Sequence, residues 1–322
     1  MSGPVFVVGV NGSGTTMLSD ALGRHPGLYM LPDESRVLPY FAQRYPDSSL
    51  QAPAGRRALA DTLGASRAYR RANGKKPVVV EGVDSLEPRF EAVVGAVYLT
   101  LAGAEGKTRW GDKSPMYLQH IELLATHFPD AKFVHIYRDA RDSAQSFHRR
   151  WKQEPRRTVY RWKHAIRAGR AQGQQLGSGR YLEVAYESLT EKPEECMRRV
   201  CEFLELRYDP VVLVSSMRWM DETARQASQG RIVRNSGRWK SYFSEGEVRE
   251  LERIAGRMLD ELGYEVTERG DEDPDVFRLW LWKWLDRLRF TMDHFKSYGV
   301  SSLPGYLRRV RDALRQATMN RF

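Results

Sequence analysis

A short apolar run, Pro4 to Val10, breaks into Gly9-Val10-Asn11-Gly12-Ser13-Gly14-Thr15-Thr16 and passes without a spacer into the helical run Met17-Leu18-Ser19-Asp20-Ala21-Leu22. Glycines reach positive φ without steric cost, so successive backbone N–H groups turn toward one point. The helix that follows aims its positive dipole end at the same place. A strand, an oxyanion cradle and a helix in immediate succession suit a parallel sheet covered by helices, with ligands bound beyond the carboxyl ends of the strands.

The rest of the chain keeps that rhythm. β-branched runs at Pro77 to Val83, Lys132 to Tyr137 and Arg180 to Tyr186 alternate with segments of helical period at Thr16 to Arg24, Met116 to His127 and Pro193 to Leu204. The expectation is an α/β fold, a P-loop-type three-layer αβα arrangement on a central parallel sheet, with a helical C-terminal extension. Residues 151 to 176 read as a basic, solvated helix. The acidic run Asp271, Glu272, Asp273, Pro274, Asp275 marks a boundary, giving a domain over 1–270 and a basic, aromatic-rich helical extension over 271–322.

The loop has Walker A spacing, but Thr15 stands where the phosphate-binding lysine belongs. That points away from ATP or GTP hydrolysis and toward a nucleotide whose transferable group carries less charge. A sulfuryl group, one negative charge short of a phosphoryl group, meets that condition. No metal-ligand pattern accompanies the loop, so no metal is expected. A second anion site is offered by the strand ending at Tyr137: Arg138 follows it, then Asp139-Ala140-Arg141-Asp142-Ser143-Ala144-Gln145-Ser146. An arginine at a strand end with hydroxyls one and two helical turns on can grip an anion bidentately. An Arg138–Asp142 ion pair is the competing reading.

Together these segments resemble the sulfotransferases that use 3′-phosphoadenosine 5′-phosphosulfate (PAPS), most closely the tyrosylprotein sulfotransferases and their bacterial relatives, over about Val5 to Gly263. The resemblance implies that Gly12, Ser13, Gly14, Thr15 and Thr16 cradle the 5′-phosphosulfate and that Arg138 and Ser146 hold the 3′-phosphate, with Arg141 a weaker candidate for that role. His25-Pro26 followed by Glu34-Ser35-Arg36 matches the segment whose glutamate is the general base, which makes Glu34 the base on the acceptor hydroxyl. Asp33 is the neighbouring alternative, and either carboxylate could instead cap a helix over Arg36 to Tyr45. Trp110-Gly111-Asp112-Lys113-Ser114-Pro115 matches the segment whose lysine balances charge on the bridging oxygen. Tyr186 matches a cofactor-side tyrosine. Gly230 to Lys240 resembles the basic loop that folds over the cofactor, with Arg231, Arg234 and Arg238 as candidates for the 3′-phosphate. Where family members carry Arg or Lys in the phosphate loop, this chain has Gly12: either Lys113, Arg36 or an arginine of the late loop takes over that duty, or the enzyme is slow, or the site binds without turning over.

The chain has 322 residues and a formal net charge of +10. From Arg278 to Phe322 there are ten Lys or Arg against three Asp, a net +7. Charge of that sign suits anionic partners, and with no nucleic-acid-binding framework no nucleic acid is expected. The aromatic segment within 276–322 suits either peripheral membrane contact or packing on the main domain or on a second subunit as a homodimer. Two cysteines, Cys196 and Cys201, and no long apolar span point to the cytoplasm, with membrane association through the tail. The expected partner is a hydroxyl-bearing acceptor. The alternatives are a P-loop small-molecule kinase, which needs ATP and Mg²⁺, and a non-catalytic basic protein that binds nucleotide or lipid.

Overall fold

The computed structural model describes residues 3–214, 232 and 236–298. By contact the chain falls into two compact units, Met1–Arg138 with Ala165–Ser236, and Asp139–His164 with Gly237–Phe322.

The first unit is built on a five-stranded, wholly parallel sheet. Its strands are β1 (Val5–Gly9), β2 (Tyr29–Met30), β3 (Trp110–Lys113), β4 (Lys132–Tyr137) and β5 (Tyr181–Ala185), in the order β2-β3-β1-β4-β5. All five residues of β1 are buried, which is why it reads as an unbroken apolar run rather than an alternating one. Val5 and Val7 face a core formed with Met17, Leu18, Ala21 and Leu22 of helix α1 (Thr15–Gly23). Phe6 faces the opposite side, with its ring centroid 5.9 Å from Trp110, which in turn stacks at 4.0 Å on Tyr98 of the helix Phe90–Ala104. Helices therefore cover both faces, as expected. From β1 the chain goes first to one side, making β2 and β3, then to the other, making β4 and β5. The switch falls beside the carboxyl end of β1, where the glycine loop begins.

Three local expectations fail. Pro77 to Val83 is not a strand: the Val78 N–H donates to Gly64 O at 3.1 Å, Val79 is 71% exposed, and Gly82 turns the chain at φ 65°. β-branched residues make a strand only where a neighbour offers a ladder. Residues 151–176 are not a solvated helix. The helix Ala140–Trp151 ends, another runs over Pro155–Gln175, and Val159, Trp162, Lys163 and Ile166 are wholly buried along it. Met116 to His127 is also divided, into a 3-10 turn Pro115–Gln119 and a helix Ile121–His127.

In the second unit Asp139 caps the helix Ala140–Trp151 by accepting the Arg141 N–H at 2.8 Å. The buried Arg141 guanidinium is held by Asp139 and, at 2.7 Å, by Glu252 of the helix Glu245–Glu261. The acidic run closes on Lys163, whose ammonium lies 3.0 Å from Asp271 and 2.7 Å from Asp273. The last described helix is Val276–Tyr298.

Candidate active site

Each candidate in the first unit leaves the carboxyl end of a different strand. Gly12 to Thr16 follow β1, Glu34 follows β2, Lys113 ends β3, Arg138 follows β4 and Tyr186 follows β5. Tyr186 opens the short helix Tyr186–Glu191 instead of closing a strand.

Gly12 and Gly14 take φ of 85° and 98°, the left-handed region where a side chain is strained. The Ser13 N–H closes a turn on Val10 O at 3.0 Å. α1 opens at Thr15 with Gly14 at its N-cap and no side-chain cap, so the first-turn N–H groups lack intrahelical acceptors. The Ser13 hydroxyl is fully buried and has no hydrogen-bond partner among the described residues. An orphaned hydroxyl beside a helix N-terminus fits the oxygens of a bound phosphate or sulfate ester.

Lys113 reaches into this loop. Its buried ammonium donates to Thr16 Oγ1 at 3.2 Å and to Glu34 Oε1 at 2.9 Å. Glu34 Oε2 accepts from Arg36 Nε at 2.6 Å, so one carboxylate is shared by two cations. Asp33, the alternative base, is committed elsewhere: Arg71 donates to it at 2.7 Å and the Glu34 N–H at 3.1 Å. Burial works to raise the Asp33 carboxyl, but the Arg71 contact and the backbone donor outweigh it and leave it below the usual carboxylate range. Of the two carboxylates, Glu34 is the one at Lys113 and the loop. The helix expected over Arg36 to Tyr45 forms as Leu38–Arg44.

Behind Glu34 and Lys113 lies a buried polar network not expected from the sequence. Asp112 Oδ2 accepts from the hydroxyls of Ser35 and, at 2.9 Å, of Tyr98. Ser35 Oγ also lies 2.6 Å from the Tyr117 hydroxyl, which accepts the Leu38 N–H at 3.2 Å. Tyr69 donates to Tyr98 at 2.8 Å. Burial drives the Asp112 carboxyl upward against those donors. Ser35 and Asp112 each adjoin a functional candidate in the chain, so their bond ties the segment bearing Glu34 to the strand bearing Lys113. That adjacency was the only signal of it in the sequence.

Arg138 stacks its guanidinium 4.3 Å from the Tyr186 ring centroid and approaches Gly12 O at 3.5 Å. A Cβ on Gly14 would stand 2.5 Å from Tyr186 Cδ2, so loop, tyrosine and arginine form one packed stack. In the second unit, Asp142 accepts the backbone N–H groups of Gly237 and Trp239 at 2.6 and 3.1 Å. Arg141 is taken up by Asp139 and Glu252 and by the face of Trp239, 3.9 Å away. The Arg141 guanidinium is thus engaged within the protein. Ser146 is half-buried on its helix, and Arg238 is exposed at the start of the turn Arg238–Ser241. Arg231 and Arg234 lie outside the described residues.

A sequence model described as the Sulfotransferase family matches residues 4–210, from β1 through β5 and beyond. Among curated proteins, a protein-tyrosine sulfotransferase of Drosophila melanogaster is 23% identical over 280 residues, covering 81% of this chain and 51% of that protein. The chain thus spans about half the length of that relative. Protein-tyrosine sulfotransferase 2 of Gallus gallus is 24% identical over 280 residues, covering 81% of this chain and 69% of its own. Among solved structures, the sulfotransferase domain of the Synechococcus PCC 7002 olefin synthase aligns with a TM-score of 0.54 at 22% identity, over 83% of this chain and 98% of that domain. That likeness is one of fold.

Proposed function

The chain belongs to the sulfotransferase family, and on that premise we propose that it moves a sulfuryl group from PAPS to a hydroxyl on an acceptor. The observation that carries this reading is Lys113, hydrogen-bonded at once to Thr16 of the glycine loop and to Glu34. Such a group can neutralise a leaving phosphate oxygen while standing next to a carboxylate able to take a proton.

In the reaction, the acceptor oxygen attacks sulfur in line with the bridging oxygen. The new oxygen–sulfur bond forms as the sulfur–bridging oxygen bond breaks, and the acceptor's proton passes to Glu34. Lys113 and the N–H groups from Ser13 to Thr16 stabilise charge on the departing 3′,5′-adenosine bisphosphate. Arg138 and Ser146 are assigned to the 3′-phosphate, Tyr186 to the cofactor side, and Arg231, Arg234 and Arg238 to a covering loop. Lys113 stands as the replacement for the basic side chain missing at Gly12, because it already bonds to the loop, whereas Arg36 is spent on Glu34. The relatives named protein-tyrosine sulfotransferases make a tyrosine phenol the first acceptor to try, with glycans, lipid-linked sugars and small hydroxyl metabolites behind it. A cytoplasmic setting belongs to the same reading: Cys196 and Cys201 are free thiols, the state a reducing compartment maintains.

Calorimetric titration with 3′,5′-adenosine bisphosphate, with ATP and AMP as controls, tests the cofactor assignment. Micromolar binding that ATP does not share, abolished in Arg138→Ala, is the expected result, followed by PAPS consumption with a tyrosine peptide or another hydroxyl acceptor. Preference for Mg-ATP overturns it.

A further inference from the structure

The helix Val276–Tyr298 has two unlike faces. One belongs to the interior of the second unit: Trp282 is 8% exposed, Asp286 accepts the Glu154 N–H at 2.5 Å and pairs with Arg157, and Arg289 donates to Glu154 at 3.0 Å. The other carries Phe277, Trp280, Trp284 and Leu288, which are 69, 58, 49 and 41% exposed. At helical spacing these four fall within an arc of about 80°. Phe277 and Trp280 stack on each other with centroids 6.1 Å apart. Lys283 and Arg287, both exposed, line one flank of the stripe.

A contiguous aromatic surface in water calls for a cover. The charge around it narrows the choice. The exposed charges bordering the stripe, Lys283 and Arg287, are both basic, and the acidic Asp286 of the same helix is turned inward on Arg157. The cover must be apolar in depth and anionic at its surface. A second copy docking this face against its own equivalent would bring Lys283 and Arg287 against like charge. Indole rings, apolar in body with one N–H donor, suit the boundary between acyl chains and headgroups. No helix among the described residues is long and apolar enough to cross a membrane, so the contact lies in the plane of the surface. We propose that the stripe Phe277, Trp280, Trp284 and Leu288 beds into an anionic lipid surface, with Lys283 and Arg287 on the headgroups. This inference does not rest on the sulfuryl-transfer reading, and its test does not measure that reaction.

The test is sedimentation of the full chain with vesicles of phosphatidylcholine alone or mixed with phosphatidylglycerol, at low and high salt, read beside the oligomeric state in solution. The wild type should bind the mixed vesicles, lose that binding at high salt, and ignore phosphatidylcholine. Trp280→Ala/Trp284→Ala and Lys283→Glu/Arg287→Glu should each weaken binding about tenfold or more while keeping the melting temperature, since all four side chains are exposed. The proposal is overturned if the wild type ignores both vesicles, if the aromatic double variant binds like the wild type, or if that variant instead turns a dimer into a monomer.

Discussion

Lys113 donates to Glu34 across 2.9 Å, and the same ammonium reaches Thr16 of the glycine loop at 3.2 Å. The two side chains should fail differently when removed. Lys113→Ala takes a donor from the leaving group and should lower kcat by about 10²–10³. Glu34→Gln removes the proton acceptor and should lower kcat by about 10²–10⁴, yet leave bisphosphate affinity within a few-fold of wild type by calorimetry. Turnover of Glu34→Gln within tenfold of wild type would dismiss it as the base.

Gly12 occupies the place where the family resemblance leads one to expect a basic side chain, and it is exposed at φ 85°. If Lys113 performs that duty, Gly12→Lys in the Lys113→Ala background should restore activity at least about tenfold over Lys113→Ala alone. The left-handed backbone sets a cost of about 1–2 kcal/mol on the new side chain, readable as a lower melting temperature. No rescue would mean that Lys113 acts other than on the leaving oxygen.

Gly14→Ala places a Cβ 2.5 Å from Tyr186 at φ 98°. It should destabilise the fold by about 1–2 kcal/mol from handedness alone, and bisphosphate binding should weaken more than stability does, because the ring cannot retreat without disturbing Arg138. Equal bisphosphate affinity in the variant would uncouple the loop from that stack.

The fully buried Asp112 has its carboxyl pushed above the ordinary range by burial. A raised folded-state pKa means that the folded chain holds this proton more tightly than the unfolded chain does. The contribution is therefore complete below the unfolded value, about 3.9, and is lost as pH rises through the folded value. Asp112→Asn, which still offers an oxygen to Ser35 and Tyr98, lacks that loss. Its melting temperature relative to wild type should rise as pH goes upward from about 4, and the curves for the two should run parallel if Asp112 does not titrate this way.

The glycine loop and β4 with Arg138 were legible because each packs a strand, a turn and a helix start into adjacent residues. β3 was not. Trp110-Gly111-Asp112-Lys113 has little β propensity, and it is a strand because β1 and β2 flank it, a tertiary fact. The valines at 78–80 mislead for the reverse reason: strong propensity with no neighbouring strand. Glu34 was named by resemblance alone, since nothing in Asp33-Glu34-Ser35-Arg36 says which carboxylate meets Lys113. The choice rests on Arg71, distant in sequence, which holds Asp33.

Tyr186 lies against Gly14 on one side and under the Arg138 guanidinium, 4.3 Å from its ring centre, on the other. One aromatic ring thus acts as a gauge block between the glycine loop and the arginine proposed above for the 3′-phosphate. The gap is fixed by a rigid thickness instead of by the reach of flexible side chains. On the proposed assignment, a molecule with a single anionic group, or with two held at another span, engages one end of the gauge and leaves the other unmet.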